Sequence, residues 1–302
     1  MTPNVIGRAL MPLLFGVGAL NAQSVDSPRP TSASAALPGQ VVDVAAGEFF
    51  FQAPDSIAAG LTTFRLRQIG LVHQRVIAGG AARDSLALDP ADQTRGLHML
   101  WLVRLDSGKT MADFHRAHEA GERTPWARNL GGPGFALPPG TSNATLILDP
   151  GNYVLTCFVG SAREDRKRFH LLNGMFRALT VLPNNAPVAE IPAPDVVIRV
   201  SETGALQYSA PIRAGVRVLR IENAGARHFE FSVRRVAPGR TTAEALAWRP
   251  ADSPRTPPPF EPRGGLSDVP PGSSLITTMT FEPGDYFVAA GRHPFTVLPA
   301  RH

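Results

Sequence analysis

The sequence predicts an all-β protein: two Greek-key β-sandwich domains in tandem, each with one short helical insertion. Three observations carry this expectation. First, 29 of the 302 residues are Pro and 28 are Gly. That density of helix breakers excludes a helical bundle and suits short strands joined by turns. Second, apolar and polar residues alternate in short runs. In Val216-Arg-Val-Leu-Arg-Ile221, Val216, Val218 and, after a slip, Ile221 can face a core while the arginines face water. Third, two long segments resemble each other in order along the chain, the signature of an internal duplication.

The elements of the repeat can be followed in order. Phe49-x-Phe51-Gln-Ala-Pro54 answers Leu206-x-Tyr208-Ser-Ala-Pro211. Gly60 opens one apolar strand and Gly215 opens its counterpart. The strand after His98 answers the strand after His228. The Gly/Pro-rich stretches ending at Gly140 and Gly272 correspond, as do the strands and Pro-Gly turns ending at Tyr153 and Tyr286. Both segments close on Thr-Val-Leu-Pro, at 180–183 and 296–299. A domain at 41–183, a Pro/Ala-rich linker at 184–194 and a second domain at 195–299 follow. Thr110 and Thr241 can each cap a short helix whose first turn carries an acid.

The first 22 residues read as an export signal. Arg8 is their only charge, a short apolar run follows it, and a small residue, Ala22, precedes Gln23. Residues 23–40 read as a flexible Ser/Pro/Ala-rich leader. No segment has the roughly 18 consecutive apolar residues that a transmembrane helix needs. The expected location is periplasmic or secreted. One cysteine, Cys157, permits no intrachain disulfide. The formal charge of +5 is nearly all arginine, scattered and without a long basic run, and aromatics are only 7%. That pattern excludes a nucleic-acid footprint and suits an acidic protein partner. Hydrolase and phosphate-cradling motifs are missing, so those chemistries have no support. Asn143-Ala-Thr145 matches a glycosylation acceptor, and His115-x-x-His118 is read as an exposed helix face.

The end of the first domain carries the chemistry. It reads Pro150-Gly-Asn-Tyr153-Val-Leu-Thr-Cys157, then a loop including the charged run SAREDRKRF, then His170-Leu-Leu-Asn-Gly-Met175 before a final strand. This resembles the copper loop of the cupredoxins, the blue copper proteins. The resemblance implies one type 1 copper in the first domain, bound by His98, Cys157, His170 and Met175. A thiolate and two imidazoles form a trigonal plane with a weak axial thioether, a compromise between the preferences of Cu(I) and Cu(II). Cys157 would be the strong ligand, His170 the ligand nearest the surface, Met175 the axial ligand and His98 the inner one. Two histidines compete for that inner place. His98 precedes the longer repeat match and is preferred. His73 shares with His228 the spacing from the preceding glycine, and an insertion at roughly 72–97 separates the two candidates. The second domain has lost the site, because Ala290 stands where Cys157 would.

The resemblance implies outer-sphere electron transfer with a redox protein partner, and a carrier or copper-binding protein in preference to a catalyst. The alternative is a metal-free, two-domain binding module. A multicopper enzyme would need further clustered histidines, and His115, His118, His228 and His293 are too dispersed.

Overall fold

Alternating burial builds the strands. In β1 (Gln40–Gly47), Val42, Val44 and Ala46 turn inward. In β4 (Gly60–Gln68), Phe64 and Leu66 do the same, the period of a strand with one face on a core. The structure is a computed structural model, and it describes residues 36–69, 97–135, 140–160, 169–185, 189–249 and 258–301. The expected signal at 1–22, most of the leader, His73, nearly all of the insertion at 72–97 and residues 161–168 of the charged loop lie outside the described residues. No described helix is long and apolar enough to cross a membrane.

The all-β expectation is met. The first half contributes β1, β4, β2 (Phe50–Gln52), β3 (Ser56–Ala58), β5 (Trp101–Leu105), β6 (Ala127–Pro133), β7 (Thr141–Leu148), β8 (Gly151–Thr156) and β9 (Phe176–Leu182). The second contributes β10 (Val196–Val200), β11 (Leu206–Tyr208), β12 (Gly215–Asn223), β13 (Phe229–Val236), β14 (Phe260–Val269), β15 (Ser274–Phe281), β16 (Gly284–Val288) and β17 (His293–Val297). The two expected helices are α1 (Met111–Glu119) and α2 (Thr242–Ala247). Thr110 and Thr241 cap them in reciprocal boxes with Asp113 and Glu244.

Both sheets run through both halves. One has the order β11-β10-β12-β15-β7-β4-β1-β2, the other β17-β16-β13-β14-β6-β5-β8-β9-β3. From Ala36 on, the chain is one compact unit. The seam is narrow: β15 meets β7 at Ile276 and Thr145, and β14 meets β6 at Leu266–Pro133 and Asp268–Gly132. Side chains extend it. Asn143 Nδ2 donates to the Thr278 carbonyl (2.7 Å), and its Oδ1 accepts from the Thr278 N–H (2.8 Å). Thr277 Oγ1 donates to the Asn143 carbonyl (2.8 Å). Ser267 Oγ donates to the carbonyl of Leu100 (2.7 Å), two residues from His98. Asn143 is therefore a bridge between the halves, not an open glycan acceptor.

The Gly-Gly pairs at 131–132 and 264–265 lie inside β6 and β14. At Gly131 (φ 79°) a Cβ would stand 2.1 Å from the Asp268 carbonyl oxygen, and at Gly265 (φ 117°) 1.9 Å from that of Phe231. Only glycine allows the two backbones to approach so closely with this backbone conformation.

The halves repeat their fine detail. Tyr153 Oη donates to the Asp149 carbonyl (2.8 Å) and Tyr286 Oη to that of Glu282 (3.1 Å). Arg104 pairs with Asp149 as Arg235 pairs with Glu282. Replacing Asn143 with Ala leaves the Thr278 groups short of partners at the seam. The expected outcome is a loss of about 1–3 kcal/mol of stability, read from the urea midpoint, with far-UV circular dichroism unchanged.

Candidate metal centre

Cys157 is the first residue beyond β8. Its N–H donates to the Met175 carbonyl (3.2 Å), and its carbonyl accepts from Leu171 N–H (2.8 Å). His170 opens a single 3-10 turn, His170–Asn173, which ends at Gly174 in the left-handed region (φ 104°). That glycine reverses the chain so that Met175 N–H reaches back to the His170 carbonyl (3.0 Å) and β9 can begin at Phe176. The expected His–Met spacing is thus a capped turn laced to the thiol strand by backbone hydrogen bonds. His98 lies just before β5, its carbonyl held by Gln68 Nε2 (2.6 Å).

Three of the four expected ligands converge. His98 Nδ1 lies 3.1 Å from His170 Nδ1, and Cys157 Sγ lies 3.7 Å from that same His170 nitrogen. The three candidate donor atoms all lie within 4.8 Å of one another. Metal–nitrogen bonds of about 2.0 Å and metal–sulfur bonds of about 2.3 Å, opened by roughly 100–120°, span about 3.1–3.7 Å between donors. The two separations from His170 match those spans and the third pair lies within 4.8 Å, so this donor set is compatible with one small ion. Cys157 and Met175 share one buried apolar cluster with Tyr153, Leu155 and Leu102. His98, Cys157 and Met175 have no exposed surface and His170 keeps 1%. Among the described residues the Phe49 ring packs edge-on against His170 (centroids 5.0 Å).

Burial sets the protonation states. His98 is pushed down to about 3, first by desolvation and then by the neighbouring His170. The Cys157 thiol is pushed up to about 12, first by desolvation, with the negative charge of Glu48 adding to the rise. Without metal, the centre is therefore a neutral thiol beside a neutral His98 at ordinary pH.

A group not anticipated from the sequence completes the surroundings. Glu48, 3% exposed, places Oε2 3.8 Å from His98 Nε2. The signal was present in Val-Ala-Ala-Gly-Glu48-Phe-Phe-Phe, a single acid inside an apolar run, which a strand reading passes over as a turn residue.

The remaining histidines stand elsewhere. His115 stacks on Phe176 (4.3 Å) and His118 packs on Phe114 (4.2 Å), so this helix face is half-buried, not exposed as expected. His228 Nδ1 pairs with Asp268 Oδ2 (2.8 Å). It is also not the counterpart of His98. Arg104 faces Tyr153 and Arg235 faces Tyr286, and six residues before these arginines stand His98 and Phe229. A one-residue step along a strand reverses the face, and His228 accordingly points outward. Phe229 and Ala290 occupy the second half's positions for an imidazole and a thiol.

No protein-family model matches the chain, and no curated protein matches it. Solved structures do. Auracyanin B is 17% identical over 49% of this chain and 92% of its own, with a TM-score of 0.27. Reduced auracyanin from Roseiflexus castenholzii is 14% identical over 48% and 98%, at 0.25. The copper-containing nitrite reductase of Thermus scotoductus is 13% identical over 86% and 61%, at 0.19. At these TM-scores the centre stands on its own geometry.

Unfolded, His98 takes up a proton below about 6.5, while folded it does so only near 3. In that window the unfolded chain binds more protons, so stability falls as pH falls. The metal-free protein is expected to melt progressively lower between pH 6.5 and 4 in calorimetry. That acid limb should be shallower in His98→Gln.

Proposed function

We propose that the protein is an exported, cupredoxin-like copper protein that carries one type 1 copper in its first half and passes electrons to a redox protein partner. The observation that carries this reading is the convergence of His98, Cys157 and His170 in a fully buried pocket, with Met175 hydrogen-bonded through its backbone to both Cys157 and His170. Copper held there would supply a centre that cycles between Cu(I) and Cu(II).

What the chain does follows from its packing. Among the described residues the donors are buried and their surroundings apolar, which favours outer-sphere electron transfer over catalysis. The donors' backbone is tied by hydrogen bonds, so their spacing changes little between two metal charges and reorganisation is small. The Cys157 thiol gives up its proton when the metal binds, so uptake releases a proton and strengthens as pH rises. The export signal at 1–22, the duplication and the division into 41–183 and 195–299 belong to the same proposal. So does a docking role for the charged loop near Cys157, with the arginine-rich balance of the chain favouring an acidic partner.

Added Cu(II) should give an intense visible band, because a thiolate-to-copper charge-transfer transition lies there, and Cys157→Ser should abolish it. A colourless wild type that retains its fold would favour the metal-free binding module instead. In that state the 3.1 Å contact between His98 and His170 is a plain hydrogen bond between the two rings. His98→Ala should weaken copper binding far more than His73→Ala, measured by competition with a copper chelator. Equal losses would bring the inserted segment into the site.

A further inference from the structure

We propose that Glu48 is the residue that orients His98, holding its ring in the Nε2–H form with the Nδ1 lone pair turned into the centre, and that its charge favours the more positive metal state. The proposal rests on the copper reading for its second half only.

The geometry comes from the turn between β1 and β2. Glu48 and Phe49 make this turn, and Phe49 holds a φ of 58°, a conformation that side-chain-bearing residues adopt at some energetic expense. The turn presses on both imidazoles. The Phe49 ring meets His170 edge-on, with centroids 5.0 Å apart at 87°. The Glu48 carboxylate lies 3.8 Å from His98 Nε2, and both side chains are essentially without exposure, at 1% and 0%. His98 Nε2 has no hydrogen-bond partner among the described residues, while Nδ1 faces His170. The two ring nitrogens therefore face different neighbours: a carboxylate on one side and the donor cluster on the other.

A buried ring nitrogen needs a partner, and an ionised carboxylate only accepts. With Glu48 ionised, the nitrogen that faces it carries the proton. In a neutral imidazole the other nitrogen is left as an acceptor, which is the form a metal requires. A small swing of the ring closes the 3.8 Å separation to a hydrogen bond. Carboxylate–histidine–metal relays of this kind fix ring orientation and strengthen the ligand, and losing the outer partner lowers metal affinity about 10- to 100-fold. A negative charge buried beside the centre also stabilises the higher metal charge, because the low dielectric leaves the interaction weakly screened.

Two substitutions separate these effects. Glu48→Gln keeps an acceptor but removes the charge. Glu48→Leu removes both and fills the pocket with an apolar side chain. In the metal-free protein, long-range proton–nitrogen NMR correlations report which nitrogen of His98 is protonated, with His98→Gln supplying the assignment. The expected result is Nε2–H in the wild type and in Glu48→Gln, and a mixed or Nδ1–H ring in Glu48→Leu. With copper bound, Glu48→Gln should raise the reduction potential, and Glu48→Leu should also weaken copper affinity about 10- to 100-fold. A wild-type ring protonated at Nδ1, or a Glu48→Leu ring unchanged from wild type, overturns the orienting role. A coloured Glu48→Gln protein with the wild-type potential overturns the charge effect. If no variant takes up copper, the function proposed above has failed, and the NMR result still decides the orienting role of Glu48.

Discussion

The structure turns on one constraint: an unprotected thiol and two imidazoles are packed out of reach of water. Cys157 sits at the end of β8 against a single 3-10 turn. The backbone bonds from Cys157 to Met175, from Leu171 to Cys157 and from Met175 to His170 close that turn onto the strand. Everything nearby serves the closure. Gly174 takes the left-handed conformation so that the turn can end in four residues, Phe49 covers the His170 ring, and Gln68 pins the backbone of His98. Burial then dictates the chemistry. It keeps His98 neutral and the thiol protonated.

The two halves share this scaffold but not its content. Each has a tyrosine bonded to the carbonyl four residues upstream and an arginine paired with the acid of the same turn. In the first half the tyrosine leads to Cys157, in the second to Ala290, and the loop that would carry a second imidazole and a thioether is shortened there. What the second half contributes is the seam. Asn143 engages Thr277 and Thr278, and Ser267 reaches the carbonyl of Leu100, which lies just before β5 and two residues after His98. The second half thus buttresses the sheet that carries the centre, through backbone groups that would otherwise need water.

His228 shows how little separates a ligand position from a surface one. It lies one residue before the place that matches His98, and in a strand one residue is the difference between the two faces. Its ring turns outward to Asp268, while Phe229 fills the inward position and extends the apolar core of the second half. A similar ordering of motifs along the chain therefore does not by itself place a side chain in a site.

The sequence by itself determined the all-β class, the two capped helices and the association of Cys157, His170 and Met175. Each depends on local information: breaker density, a capping box, and a short His–Met interval that closes on itself after one strand. Tertiary structure alone decided the rest. The inward turn of His98, the burial of His170 and the approach of Glu48 depend on how β1, β5 and the 3-10 turn pack across a sandwich, at chain separations of tens of residues. Glycine tolerates both turns and close backbone contact, and at Gly131 and Gly265 only the neighbouring strand, at 2.1 and 1.9 Å from the missing Cβ atoms, distinguishes the two. Glu48 stayed hidden for the same reason. A lone acid in an apolar run is a turn residue by pattern, and it becomes a partner of His98 only when the fold buries both in one place.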